Sequence, residues 1–230
     1  MAHIKRIAAP RSWPIERKGQ PKLVTKQTPG PHSLKNSLPL LVIVRDLLKY
    51  VDNKRQMKRM LAEGKVKING VVRKETSFPV GIFDILEFPS INESYTLLLN
   101  KKGKLALQKI AGLPGLHDNI CKIVGKTILK KNRCQLNLYN GWSIIVTDGS
   151  YKVGDSLIVA GKDRKITKHL KMEKGAMVFL TAGKHVGVFG VIQEIKHFKG
   201  AERDRIVVRS GNETLETLKD YAYVIEKPFT

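Results

Sequence analysis

The sequence predicts an α+β, multidomain chain in which helices are confined to one short stretch and β structure dominates the rest. Three observations carry that prediction. Apolar residues recur at intervals of three and four between residues 38 and 61. From about Tyr95 onward, short β-rich runs alternate with Asn-Gly, Asp-Gly and Gly-Asp turn signals. The first 35 residues hold five of the ten prolines (Pro10, Pro14, Pro21, Pro29 and Pro31), and proline excludes regular helix and central strand.

Composition bounds the partner before any motif is read. A length of 230 residues suggests one to three domains, at about 100–200 residues each. Hydrophobic residues make up 42%, enough for a core, but aromatics only 7%, so the cores are aliphatic and small. The net charge of +22 demands a polyanion, either nucleic acid or an anionic membrane. Against the membrane, the longest apolar stretch, Leu38 to Val44, is broken by Pro39 and falls far short of the ~20 residues that span a bilayer. The Met-Ala-His-Ile-Lys-Arg start has no apolar signal region, so a cytoplasmic chain is expected. Cys121 and Cys134, with no C-x-x-C and no histidine at finger spacing, read as reduced packed thiols; a disulfide or a metal is the alternative.

The charge is spread over four expected segments: +7 in residues 1–35, +4 in 36–90, +9 in 91–170 and +2 in 171–230. A partner that wraps much of the surface fits this better than one charged tail. Residues 1–35 form a basic, proline-rich arm with Lys5, Arg6 and Arg11 among its cations. The arm is either a loose tail or a segment that orders on RNA. Trp13 could stack a base, or equally pack against the arm's own protein body.

Residues 36–90 read as two helices and a hairpin. Leu40, Leu41, Val44, Leu47, Leu48 and Val51 form one face of a helix over 38–51, with Arg45 and Lys49 off that stripe. Asp52 or Asn53 caps a second helix, which runs from Lys54 to Glu63 and stops at Gly64. Met57, Met60 and Leu61 are its apolar stripe. Lys54, Arg55, Lys58 and Arg59 share another face, with only Arg59 offered an acidic residue four positions on, at Glu63. Like charges at that spacing repel. A phosphate backbone removes that cost, whereas an idle solvated face normally mixes both signs. Lys65 to Arg73 alternates around Asn69-Gly70, a hairpin with a type I′ turn. Val66 and Ile68 face the core, with Val71 a further candidate, while Lys65, Lys67 and Arg73 project.

The run from Lys54 to Leu61, then Gly64-Lys65-Val66-Lys67-Ile68-Asn69-Gly70, resembles the small S-four RNA-binding domain in order, spacing and residue type. Met57 stands where that family usually has a small residue. Residues 91–170 then predict a central β-barrel or sandwich, with strands at 95–99, 126–130, 134–139, 142–146 and 155–159 and turns at Asn140-Gly141 and Asp148-Gly149. Lys162, Arg164, Lys165, Lys168 and Lys171 follow as a basic cluster. In residues 171–230, the stretch from Ala182 to Ile195 resembles the KOW motif. The resemblance implies a small SH3-like barrel with Gly183, Lys184 and His185 in an RNA-facing loop and Gly190 as its essential glycine. Strands are expected at 177–181, 205–209 and 223–225, with a turn at Ser210-Gly211-Asn212.

Taken with His3 to Pro10, Trp13, Gly30-Pro31-His32 and Leu38-Pro39-Leu40, the whole chain resembles the archaeal and eukaryotic small-subunit ribosomal S-four-e family. Its end at Thr230, without the eukaryotic extension, looks archaeal. The resemblance implies a structural, non-enzymatic ribonucleoprotein component of the small ribosomal subunit in translation. It would bind small-subunit rRNA beside neighbouring ribosomal proteins, with no cofactor, metal or membrane and no obligate homo-oligomer. An RNA-modifying enzyme and a KOW-type transcription or translation factor are the alternatives. Chemistry that would favour them is missing from the sequence. Gly125-Lys126-Thr127 lacks the first glycine of a phosphate-binding loop, Ile120 standing there. No triad signature or carboxylate pair stands out. The six histidines (His3, His32, His117, His169, His185 and His197) have no ligand spacing. His3, His32 and His185 are read as polar or phosphate contacts.

Overall fold

A computed structural model of the chain describes residues 3–110, 118–130, 133–147, 149–160, 164–198, 200, 202–211 and 213–226. His117, Lys162, Asp148 and Asn212 therefore lie outside the described residues. The chain divides into two compact units, one made of residues 1–98, 104–119 and 161–163, the other of 99–103, 120–160 and 164–230. Both are mostly β, and the two short helices belong to the first.

In chain order the first unit contains β1 (His3–Lys5), β2 (Leu23–Thr25), β3 (Ser37–Pro39), α1 (Leu40–Val42), α2 (Lys54–Ala62), β4 (Lys67–Ile68), β5 (Val71–Val72), β6 (Pro79–Gly81), β7 (Ile85–Phe88), β8 (Glu93–Leu99) and β9 (Leu105–Ile110). β1 pairs with β2, β3 with β6, and the remaining strands form a five-stranded sheet in the order β5-β4-β7-β8-β9. Strands β8 and β9, beyond residue 90, thus complete the sheet begun by the Asn-Gly hairpin. Trp13, Leu38, Leu40, Leu41, Ile43, Met57, Leu61, Leu86, Phe88 and Leu97 are the large side chains of this core, all fully buried. Each such burial removes apolar surface worth roughly 1.5–3 kcal/mol from water.

The first helix departs from its expected course. Leu38 lies in β3, paired with Val80. Helix α1 starts only after Pro39, and its first donors, Leu40 N–H and Leu41 N–H, bond the carbonyls of Phe78 and Thr76 at 3.0 and 2.9 Å. It passes directly into a π-helical turn, Ile43–Leu47. Lys49 then adopts a left-handed backbone, φ 57°, which ends helical progression two residues before Val51. A long-range strand pair overrides the local apolar period here.

The arm also corrects a sequence expectation. Despite its prolines it supplies β1 and β2 and buries Ala9, Trp13, Val24, Thr25 and His32. The Trp13 indole N–H donates to Leu34 O at 3.2 Å. Of the two expectations stated for Trp13, packing against the body holds: a ring 2% exposed has no face left for a base.

The second unit contains β10 (Asn119–Leu129), β11 (Arg133–Leu138), β12 (Ser143–Val146), β13 (Ser156–Val159), β14 (Ile166–Leu170), β15 (Met177–Leu180), β16 (Phe189–Lys196), β17 (Arg205–Ser210), β18 (Glu213–Leu218) and β19 (Ala222–Val224). They form two five-stranded sheets, ordered β12-β11-β10-β13-β14 and β18-β17-β16-β15-β19. One core gathers Cys121, Ile123, Leu136, Leu138, Leu157 and Val159. The other gathers Val178, Leu180, Ile192, Ile206, Val208 and Val224. Cys121 and Cys134 are buried and not joined in a disulfide, and the Cys121 sulfur accepts from Asn140 Nδ2 at 3.1 Å.

Strands β1, β2, β3, β6, β7, β9, β14 and β18 lie where no strand was expected. Gly125-Lys126-Thr127 sits inside β10, not at a strand-to-helix turn, and the Lys126 ammonium caps Gly149 O and Tyr151 O at 2.7 and 3.1 Å. Gly190 is needed for space and not for positive φ: a Cβ there would meet Val208 Cγ1 at 2.4 Å and Arg209 O at 2.7 Å. Gly187 combines both demands, with φ 76° and a Cβ that would fall 2.5 Å from Asn100 C.

Candidate nucleic-acid interface

Helix α2 carries the densest set of predicted cations, and local chemistry fixes its start and stop. Asn53, not Asp52, is the cap: its Oδ1 accepts from Arg55 N–H and Gln56 N–H, both at 3.0 Å. Gln56 Oε1 reaches back to Asp52 N–H at 2.8 Å. Gly64, at φ 70°, ends the helix in a left-handed turn that lets Lys65 N–H bond Met60 O at 3.2 Å. Met57 and Leu61 are buried on one side. Arg55, Lys58 and Arg59 stand fully out on the other, with Lys54 half-buried beside them.

None of these four cations makes an ion pair with a described residue. Glu63 lies four positions after Arg59, but Lys65 Nζ takes its carboxylate at 2.6 Å. That hydrogen bond, and the Lys65 charge with it, hold the Glu63 carboxyl below the usual range. The helix therefore presents an uncompensated positive face, and clustered cations of this kind gain affinity for a phosphate backbone by releasing its counterions.

The hairpin after α2 follows the predicted geometry. Asn69 and Gly70 both have positive φ, 51° and 75°. Lys67 pairs with Val72 and Ile68 with Val71 across a two-residue turn. Val66 and Ile68 are buried, whereas Val71 is 36% exposed and does not join the core. The turn is braced from beneath. Asn69 Nδ2 donates to Asp84 Oδ1 at 2.8 Å, and its Oδ1 accepts from Ile85 N–H at 2.9 Å. Asp84 Oδ2 accepts Gly81 N–H and lies 2.8 Å from His32 Nε2. Burial works against a proton on His32, but the charge and hydrogen bond of Asp84 outweigh it and raise the pKa. His32 is thus an internal strut of the first unit, not a phosphate contact.

The other predicted residues divide by what already occupies them. Lys5, Arg11 and Lys49 are exposed, while Lys67 is half-buried on β4. Arg6 spends its guanidinium within the arm, on Pro21 O at 2.6 Å and Glu16 O at 2.9 Å. Arg45 is held by Asp46 at 2.6 and 3.0 Å, and that bond raises its pKa. Arg6, Arg45 and Lys49 come together around one groove, but Glu16, Asp46 and Asp52 line it too, so its charge is mixed. Arg73 stacks over Phe78 at 4.4 Å. In the second unit Gly183 and Lys184 are exposed and His185 half-buried in the loop after β15.

Sequence reasoning passed over two exposed cations with aromatic partners, Arg205 over Phe198 at 5.4 Å and Arg164. Arg164 lies over the Trp142 ring, 5.1 Å from its centroid. The basic cluster around Arg164 was legible, but nothing local links it to a tryptophan 22 positions earlier. Among the described residues no group of three or more His, Cys, Asp or Glu side chains is placed to hold a metal. No helix among them is long and apolar enough to cross a membrane.

Known proteins resemble this chain over most of its length. Residues 2–35 match the RS4NT (NUC023) domain, 39–86 the S4 domain and 91–166 the ribosomal family S4e. The chain is 40% identical over 225 residues to the small ribosomal subunit protein eS4 of Methanocella arvoryzae, covering 98% of this chain and 94% of that one. It is 38% identical to the protein of the same name from Methanocaldococcus jannaschii, covering 97% and 93%. The crystal structure of the 30S ribosomal protein S4e from Thermoplasma acidophilum superposes with a TM-score of 0.70 at 36% identity, over 83% of this chain and 95% of that chain. With matches of this identity and coverage, the chain belongs to the ribosomal S4e family.

Proposed function

We propose that this chain is a structural, non-enzymatic constituent of the small ribosomal subunit, cytoplasmic and active in translation. It binds small-subunit rRNA through basic surfaces on several linked modules, beside neighbouring ribosomal proteins and without a homo-oligomer. On this reading residues 1–35 are the arm, 36–90 the S4-type domain, whose sheet β8 and β9 complete, the rest of 91–170 the central β domain and 171–230 a KOW-bearing SH3-like barrel. The contacts come from Lys5 and Arg11 of the arm, Lys49, the four cations of α2, Lys65 and Lys67 of the hairpin, and Lys184 of the KOW loop. Arg6, Arg45 and Arg73, already engaged within the protein, position their neighbours.

The observation that carries the reading is the face of α2: four cations, no ion pair among the described residues, on a helix whose cap and C-terminal turn fix its direction. Linking several weak modules raises affinity by avidity, without one dominant site. The test is titration of the purified chain with small-subunit rRNA across salt. Four phosphate contacts from α2 alone give a slope of log K against log salt of about −3.6, and the other modules steepen it. A slope near zero overturns the reading.

A further inference from the structure

Residues 91–170 carry the largest share of the excess charge, +9, yet none of them is among the contacts proposed above. The place to look is where an exposed cation meets an aromatic ring. Trp142 enters just before β12, with part of its ring packed against the core of Cys121, Leu136 and Leu138. Its other part is half open, and the guanidinium of Arg164 sits over the ring at 5.1 Å.

The donors of this pair are unspent. The Trp142 indole N–H makes no hydrogen bond with a described residue, in contrast to Trp13, whose N–H is taken by Leu34 O. Arg164 makes no ion pair or side-chain hydrogen bond among the described residues, and neither does its exposed neighbour Lys165. Arg164 also holds a left-handed backbone, φ 52°, uncommon for a residue with a Cβ. Its N–H is fixed in that turn by Ala160 O at 3.1 Å. The second unit thus holds a planar cation over an anchored ring, with its hydrogen-bonding edges unengaged among the described residues.

We propose that Trp142 and Arg164 form a stacking platform for an unpaired base of RNA, with Lys165 beside it for the adjoining phosphate. The inference rests on the RNA reading above and adds to it the face of this sheet that meets RNA. Its physical basis is that bases stack on guanidinium planes and aromatic rings irrespective of sequence, and that a cation already on the ring strengthens the stack. An acidic peptide would meet the same charge but would leave the flat surface unused.

The chain has two tryptophans, so replacing Trp13 by Phe leaves Trp142 as the reporter. A labelled single-stranded RNA of about 12 nucleotides is titrated at low salt, reading RNA anisotropy and Trp142 emission together. Quenching that tracks binding, lost in Arg164→Glu and weakened in Arg164→Lys, supports the platform, with an affinity loss of at least about five-fold for Trp142→Ala. If Trp13→Phe does not fold, the wild-type chain is compared with Trp142→Phe, whose emission should no longer respond. RNA bound with Trp142 emission unchanged overturns the platform alone. Quenching by an oligoglutamate peptide but not by RNA overturns it in favour of a protein partner. No anisotropy change at all overturns the RNA reading and the platform with it.

Discussion

Reversing Lys58 and Arg59 to Glu tests the reasoning about α2 in isolation from the fold. Both side chains are exposed and make no ion pair among the described residues, while the packing face of Met57 and Leu61 is on the other side of the helix. The substitution also converts the like-charge spacings from Lys54 and Arg55 into opposite-charge ones, each worth about 0.2–0.5 kcal/mol to the helix, against one new like-charge spacing between position 59 and Glu63. Thermal stability should therefore hold or rise slightly. RNA binding should fall steeply. Two lost phosphate contacts, at about 0.9 per contact, flatten the salt slope by about 1.8, which at 0.1 M salt is about a 60-fold loss or about 2.5 kcal/mol. Filter binding or anisotropy across salt, with a melting curve on the same samples, measures both. An unchanged slope with an intact melt refutes the assignment of this face to RNA.

Three further outcomes follow from the packing. Gly190→Ala drives a Cβ to 2.4 Å from Val208 Cγ1, and overpacking of that kind should cost about 1–3 kcal/mol in a denaturant melt; a neutral result would mean that β16 and β17 separate easily. Asp84→Ala leaves His32 and Asn69 without their shared acceptor inside the first unit, so a loss of about 3–5 kcal/mol is expected, and a change under 1 kcal/mol, about the worth of an exposed pair, would show that the strut is dispensable. Burial pushes the Lys122 ammonium down to about 8, with the Asp220 charge acting against that shift and Lys219 adding to it. Because the folded pKa lies below the unfolded 10.5, the unfolded chain binds more protons between the two values. Stability should then rise with pH across that window, by up to about 3 kcal/mol. Lys122→Met should remove this part of the slope, and an equal slope in both proteins would place the titration elsewhere.

What the sequence made legible is what is local. The Asn53 cap, the Gly64 stop and the Asn69-Gly70 turn are short-range signals, and each stands where the pattern put it. So does the run of cations on α2, because side chains three and four apart share a helix face by geometry alone. What failed depends on distant chain. Leu38 joins a strand because Val80 is there to pair with it. His32 is a strut because Asp84, 52 positions on, lies 2.8 Å from its Nε2. Trp13 belongs to the core because Leu34 O and the rest of the first unit close over it. Glu63 was assigned to Arg59 by helical spacing, but Lys65, just past the stop, reaches it first. Gly190 was marked as essential by its motif alone, and the reason is the space that the neighbouring strand needs.

The central claim is that this chain is an integral part of the small ribosomal subunit. Its most direct test is the amount of the chain per small subunit in a native extract resolved on a sucrose gradient, before and after a high-salt wash. One copy per small subunit that survives the wash is the predicted result. A sub-stoichiometric signal, or release into the light fractions at modest salt, contradicts the claim and favours a transient factor or an RNA-modifying enzyme.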